Sequence, residues 1–591
     1  MKVAVSRAGA TGVAANTGME DLTTPSSRRN ALLCALLMAL CIVVARPVVD
    51  IPFGDDFSYT RTALDFARTG HIIYNGWATA MLGWQVLWGA LFIKLFGFSF
   101  TIVRFSMLPF AMASVYLFHQ ILVRFGIGPR DAVLGTLTLG LSPLFFMIAT
   151  TYMTDVSGVF IILLCLYMCQ RAVVVQGTRA AFIWLISAGI VNLLGGTVRQ
   201  TSWLGVLVMV PSTAWLLRRH RGMLLAGSAT TLVGLAGVLA CLHWAKQQPF
   251  FVPEIYYVWR QYIYPISVLG EYGKAFLCLT LVLSPVVMGW LPSIPRLNRA
   301  ALIRIGVVLC ALVVIIVRHS VHGSLDKWLA PWLIPFLQLE AALIQIPPHL
   351  QIFISILVPA TGLIVAEQIF ASGRNPATEP LARSPYWITA LWLVGPFALS
   401  YLLVLFPRAA TTVIQDRYLL GIMPSAIVLL LIAYEHWVAP ALPSLSIVIL
   451  ALFAICTIAA THDYYADLRA THAAVQELLS DGVPRTVIAE GMAPDLWEQL
   501  QVAGYVNSSN MVTASANYNP HVPPWPFPEK CINSAPSVFE PVIRPQYFVG
   551  YVLNQCFAPT KYQPIAYQAW IPPFHRTKLV VKILTTPEKA P

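Results

Sequence analysis

Charge is what this sequence lacks most: only 11% of its 591 residues are Asp, Glu, Lys or Arg, against about 25% in soluble domains. That shortage excludes an ordinary water-soluble globule. No glycine-rich phosphate loop is visible, and no internal repeat, so the duplicated halves common in transporters are missing too. The first apolar run lacks a small-residue cleavage site followed by a soluble mature domain, which reads as an uncleaved first helix. Polar cysteines are also scarce. Eight of the ten cysteines fall inside apolar runs, where a thiol behaves as a small hydrophobe; only Cys531 and Cys556 lie in polar sequence.

What is present is apolar sequence in long runs. Stretches long enough to span a bilayer, about 20 residues each, recur from Ala31 to Ala460. The formal charge is +12, but its basic residues cluster between these runs, at Arg28-Arg29, Arg124 to Arg130, Arg218 to Arg221 and Arg296 to Arg304. That is the positive-inside pattern, so the charge reports orientation and no nucleic-acid partner. With residues 1–30 polar and expected to be disordered in the cytoplasm, the first helix exits near Asp50. The Arg124–Arg130 turn must return inside, so an odd number of crossings separates the two points. The run Gly83 to Phe98 is short and carries Lys94, and is expected to lie along the outer interface; Phe105 to Val123 then makes the crossing. Continuing the count gives crossings near 131–149, 156–174, 181–197, 201–217, 223–243, 274–291, 301–317, 350–370, 386–405, 418–434 and 443–461, about thirteen spans in all.

The expected organisation is a polytopic all-α membrane region over residues 31–461, with a first outer loop at 50–103. A small α/β or α+β extracytoplasmic domain follows over residues 462–591. Its strand-like runs are Thr486 to Ala489, Tyr547 to Leu553 and Lys578 to Leu584. Lys327 to Ile346, broken by three prolines, is left unassigned. Cys531 and Cys556 are expected to pair in an oxidising compartment.

Parity brings a set of polar residues to the outer face. Asp55 and Asp56 follow the first exit, with Tyr59 one turn on. Thr154-Asp155 opens a later crossing after Ser142-Pro143. Arg199 sits in the very short connection Gly195 to Trp203, and Gln415-Asp416-Arg417-Tyr418 starts the twelfth helix. Each alone has a plain structural reading, as a helix cap or a snorkelling side chain. Several acids and arginines on one membrane face are harder to explain that way, because ionisable residues near lipid are costly.

The ordered set Asp55-Asp56-x-x-Tyr59, Gly83-Trp84-Gln85, Leu95-Phe96-Gly97, Arg104, Pro143, Thr154-Asp155, Arg199 and Asp416-Arg417-Tyr418 resembles the GT-C membrane glycosyltransferases. Among these it is most similar to the dolichyl-phosphate-mannose-protein mannosyltransferase and aminoarabinose transferase-like proteins (a glycosyltransferase family 39-like group). The resemblance covers about residues 45–205 and returns at 410–485. It implies a sugar donor carried on a polyprenyl phosphate, an active site facing the periplasm or exterior of a bacterial inner membrane, and Asp55 as catalytic base, with Asp155 assisting it and Asp56 beside it as a further catalytic residue. Tyr59, Arg199, Arg417 and Tyr418 would bind substrate. The residues suit that chemistry: an inverting attack needs one carboxylate to take the acceptor's proton, and guanidinium forks suit the leaving phosphate. The acceptor is a lipid, glycan or protein outside the cytoplasm. The chain departs from the aminoarabinose group at Met81-Leu82-Gly83-Trp84, where those relatives often carry Lys-Pro or His-Pro. That removes a candidate phosphate or metal ligand, so no cofactor is expected; a divalent metal using His319 and His322 is the weaker reading. The rivals are a transporter or flippase of a lipid-linked or polar substrate, which would place ionisable groups nearer the bilayer midplane, and a non-catalytic scaffold.

Overall fold

The computed structural model describes residues 21–253, 264–321, 348–372, 384–411, 414–507, 539–551 and 556–583. Lys327 to Ile346, His322 and Cys531 lie outside them, as does the side chain of His319. Among the described residues, eight helices are long and apolar enough to cross a membrane, including Pro25–Ala45 (α1), Thr154–Val174 (α8), Met223–Lys246 and Ser444–Ser480. Gly83–Phe96 (α3), Arg179–Gly195 (α9) and Met423–Trp437 are shorter apolar helices, and α3 is followed by Phe100–Phe105 (α4) and Leu108–Arg124 (α5). Large apolar side chains such as Leu225 and Ile266 stand 75% and 83% exposed on these surfaces; such a coat is stable only against lipid. The chain is an integral membrane protein.

Breaks in the helices account for part of the difference from the thirteen expected crossings. The run expected at 131–149 divides into Pro129–Gly140 (α6) and Pro143–Ile148 (α7). Pro143 starts the second piece with Ser142 as its cap, accepting the Phe145 N–H at 3.2 Å. The run at 201–217 is a short 3-10 turn, a π turn and one α-helix in succession. The Asn192 side chain holds that break, donating to the Ser202 carbonyl and accepting from the Val206 N–H.

Two further expectations are corrected. Order begins earlier than residue 31: Thr24 and Ser27 form a capping box that starts α1 at Pro25, and Asp21 is ion-paired with Arg124 and Arg171. The proposed boundary at 462 falls inside the 37-residue helix Ser444–Ser480, which runs from the membrane region into the C-terminal domain without interruption.

That helix carries the domain. Asp463 accepts the backbone N–H groups of Trp570 and Ile571 at 2.6 and 2.9 Å, and the His462 ring stacks on Trp570 at 3.9 Å. Asp467 takes Lys578 Nζ at 3.0 Å along with the hydroxyls of Tyr551 and Tyr567. The strands are Ile488–Ala489 (β1), Tyr547–Gly550 (β2), Phe557–Pro559 (β3), Ile565–Gln568 (β4) and His575–Ile583 (β5). They form one sheet, β1-β2-β5-β3 with β4 also on β5; β1 and β2 are parallel and the other pairs antiparallel. Of the strand-like runs, Ile488–Ala489, Tyr547–Gly550 and Lys578–Ile583 fall on β1, β2 and β5, while Thr486 and Val487 lie in a 3-10 turn and Val552, Leu553 and Leu584 lie outside the described residues.

Candidate active site

Two adjacent carboxylates open the first loop, and the start of a helix separates their fates. Gly54 adopts φ +51°, a conformation that only glycine takes without strain. The turn it makes starts the helix Asp56–Thr69 (α2) with Asp55 at its cap. Asp56 turns inward. It accepts the Phe53 N–H at 2.6 Å and Arg104 Nε at 2.8 Å, with no exposed side-chain surface. Arg104 also donates to the carbonyls of Val49 and Ile51, so every charge buried here is paired, as burial demands. Asp56 is therefore a framework residue outside the cavity, which differs from its expected place beside the base.

Asp55 turns the other way, into a cavity of about 260 Å³ that Tyr59, Arg199, Arg417 and Tyr418 also line. Its Oδ2 lies 2.6 Å from Arg417 Nη2, and its Oδ1 accepts the Trp77 indole N–H at 2.9 Å. Burial alone would raise its pKa. The Arg417 guanidinium, the Trp77 N–H and the more distant Arg199 outweigh burial and hold the carboxyl below its usual range.

Arg199 reaches the same space from the connection after α9. Gly195 and Gly196 let that connection lie flush, since a Cβ on either would meet Ile161 or Trp203 at 2.4 or 2.1 Å. Its Nη1 lies 2.8 Å from Asp155 Oδ1, at the start of α8. Asp155 thus stands behind Arg199 rather than on the cavity wall. α3 is clamped to the same corner: Gln85 donates to the Tyr152 carbonyl and accepts from Ser157, while Tyr152 donates back to the Gln85 carbonyl.

Three residues here carried no role from the sequence. Arg408 joins Arg199 and Arg417 around one ring, their guanidinium carbons 5.5, 5.4 and 5.5 Å from the centre of Tyr418. Parity puts Arg408 on the same face, since it follows the run 386–405, so it was within reach of the reasoning that found Arg417. Asp416 accepts the Arg417 backbone N–H, while its Oδ2 is shut from solvent without a hydrogen-bond partner. Burial pushes this carboxyl up to about 7 despite the Arg417 charge. Trp77 sits in the middle of a loop, and nothing in its sequence context marks it.

The arrangement is a small, half-open chamber with one carboxylate able to take a proton and a clustered set of cations able to hold an anion. Among the described residues no group of three or more His, Cys, Asp or Glu is placed to hold a metal ion.

No family model and no curated protein matches the chain. Solved structures do. A structure of the S. cerevisiae protein O-mannosyltransferase Pmt1-Pmt2 complex bound to the sugar donor aligns at 16% identity and TM-score 0.32, over 38% of this chain and 34% of that one. This chain therefore spans about a third of that relative's length. ArnT from Cupriavidus metallidurans bound to undecaprenyl phosphate aligns at 14% identity and TM-score 0.37, covering 79% of this chain and 84% of that chain. The Archaeoglobus fulgidus oligosaccharyltransferase in complex with Zn and sulfate aligns at 14% identity and TM-score 0.42, over 87% of this chain and 67% of that chain.

Proposed function

We propose that this chain is an inverting glycosyltransferase that moves a sugar from a polyprenyl-phosphate donor to an acceptor hydroxyl outside the cytoplasm. The observation that carries the reading is Asp55 opposed to Arg417 and Arg199 in one cavity, at the ends of apolar helices. The donor's phosphate takes the guanidinium forks, which can bind two of its oxygens at once, while its tail stays in the apolar phase. Asp55 takes the acceptor's proton as that oxygen bonds to the anomeric carbon. The bond from that carbon to the phosphate oxygen breaks, and its electron pair leaves with the polyprenyl phosphate. The developing charge is met by cations already in place.

The resting pair adds a requirement. Asp55 meets Arg417 at Nη2, so a phosphate that takes the Nη1–Nη2 fork competes for that contact. Seating the donor therefore draws Arg417 away and leaves Asp55 with the Trp77 N–H. A carboxylate freed from a cation is the stronger base, so donor binding readies the proton acceptor. Asp155, behind Arg199, keeps that guanidinium aimed.

The test compares, by mass spectrometry, the glycans and lipids of cells with the protein, without it, and with Asp55→Asn. A glycosylated product that needs the protein and is lost in the variant supports the reading. Equal product with Asp55→Asn refutes it.

A further inference from the structure

The C-terminal domain does more than sit beside the cavity. Its helix Met492–Ala503 packs against α2 through Ala493, Leu496 and Leu500, in one apolar cluster with Phe57, Val506 and Trp77. The Trp77 ring is wedged between Phe57 and Phe539, with centroids 5.4 and 5.5 Å away. The backbone of its loop is tied on both sides. Val506 N–H donates to the Asn75 carbonyl at 2.7 Å, while Gly76 N–H donates to the Phe250 carbonyl at 2.8 Å. Val506 and Phe539 belong to the domain, and Trp77 is the residue whose N–H meets Asp55 at 2.9 Å. The chain of contact from domain to carboxylate is unbroken.

We infer that the C-terminal domain is part of the active-site framework, and that through Phe539, Val506 and Trp77 it fixes the Asp55 carboxylate toward the cavity. Trp77 is a positioning residue. Its indole is held between two aromatic rings, one tilted and one edge-on, so its N–H stays aimed whether or not Arg417 is engaged. This rests on Asp55 being the base; it adds that the base stays oriented after the donor has taken Arg417, when the Trp77 N–H is its remaining partner. It also gives the domain a task that its composition does not disclose.

The experiment follows Asp55 directly, without a turnover assay. Purified full-length protein is treated with a hydrophobic carbodiimide over a pH series, and modification of the Asp55 peptide is read by mass spectrometry. Carbodiimides react with the protonated carboxyl, so the profile reports its titration. The charged and titratable groups about Asp55 are Arg417, Arg199, Arg408, Tyr59, Tyr401 and Tyr418 on the cavity, with Asp56 and Asp155 behind it, and none is altered in the variants. Trp77→Phe keeps the ring in its wedge and removes the N–H. Losing a hydrogen bond to a charged group should move the profile up by about one pH unit. Phe539→Leu keeps the N–H and loosens the wedge, and should shift the profile in the same direction by less. A merely structural Trp77 would change stability and leave the profile where it was. An unmoved profile in a folded Trp77→Phe protein overturns the inference, and a shift in Trp77→Phe with none in Phe539→Leu overturns the domain's part in it. Neither result bears on whether Asp55→Asn abolishes transfer, so the two readings fail separately.

Discussion

Replacing Asp55 with Asn should do two opposite things. Turnover should fall by about 10²-fold or more, because the proton acceptor is gone. Affinity for a polyprenyl phosphate should rise. In the resting structure the Asp55 carboxylate holds the Arg417 fork at 2.6 Å, with side chains only 14% and 13% exposed. A phosphate that takes Nη2 of Arg417 must displace that contact. Two unit charges about 4 Å apart attract by about 4 kcal/mol at the effective dielectric of a near-surface site, which bounds the effect from above. A hydrogen bond to a charged group is worth about 1.5–3 kcal/mol net. Asn preserves the shape and a weak acceptor but removes the competing charge, so binding should tighten by roughly 10- to 100-fold. Titrating detergent-purified protein and variant with undecaprenyl phosphate, by calorimetry or native mass spectrometry, measures this. Affinity that is unchanged or weaker in Asp55→Asn would show that phosphate does not contend with Asp55 for Arg417, and the donor-gated base would have to be abandoned.

Asp56→Ala should instead unfold the protein at lower temperature, by about 3–5 kcal/mol, because it strands the buried Arg104 charge; a thermal melt at wild-type temperature would refute the framework role. Asp416 sets a pH dependence: its folded pKa of about 7 lies above the ordinary 3.8, so its contribution to stability is full below about 4 and is lost as pH rises through 7. Asp495, also raised to about 7 by burial, acts in the same direction, so the part due to Asp416 is the difference between wild type and Asp416→Asn across pH 4–8, and equal pH slopes in the two would refute it. Cys556 is disulfide-bonded, and Cys531 is its expected partner. Thiol labelling of both on intact cells should appear only after reduction, and Cys531→Ser should cost roughly 3 kcal/mol for a loop of about two dozen residues. Labelling of Cys531 without reductant would refute the pairing, and labelling only after the inner membrane is opened would place the domain on the cytoplasmic side.

The membrane class of this protein was legible in its sequence, because spanning a bilayer leaves a linear record: runs of about 20 apolar residues cannot be hidden by packing. The face-sharing of Asp55, Asp155, Arg199 and Arg417 followed from the same record, since parity and charge bias are properties of order along the chain. Helix ends were less legible. Ser142-Pro143 and the Asn192-held break lie inside apolar runs, where hydropathy is blind to a change of helix type, and the apolar run that ends at Ala460 gives no sign that the helix Ser444–Ser480 continues past it. Only the tertiary structure separated Asp55 from Asp56. The two are neighbours with the same chemistry, and their roles divide because successive residues at the start of a helix point about 100° apart, Asp56 toward Arg104 and Asp55 toward Arg417. Likewise only the fold brought Trp77 and Phe539 together, residues more than 400 positions apart. Chain order records which side of a membrane a residue reaches. Which neighbour it meets there is set by packing between distant segments, and packing leaves no mark on the local sequence.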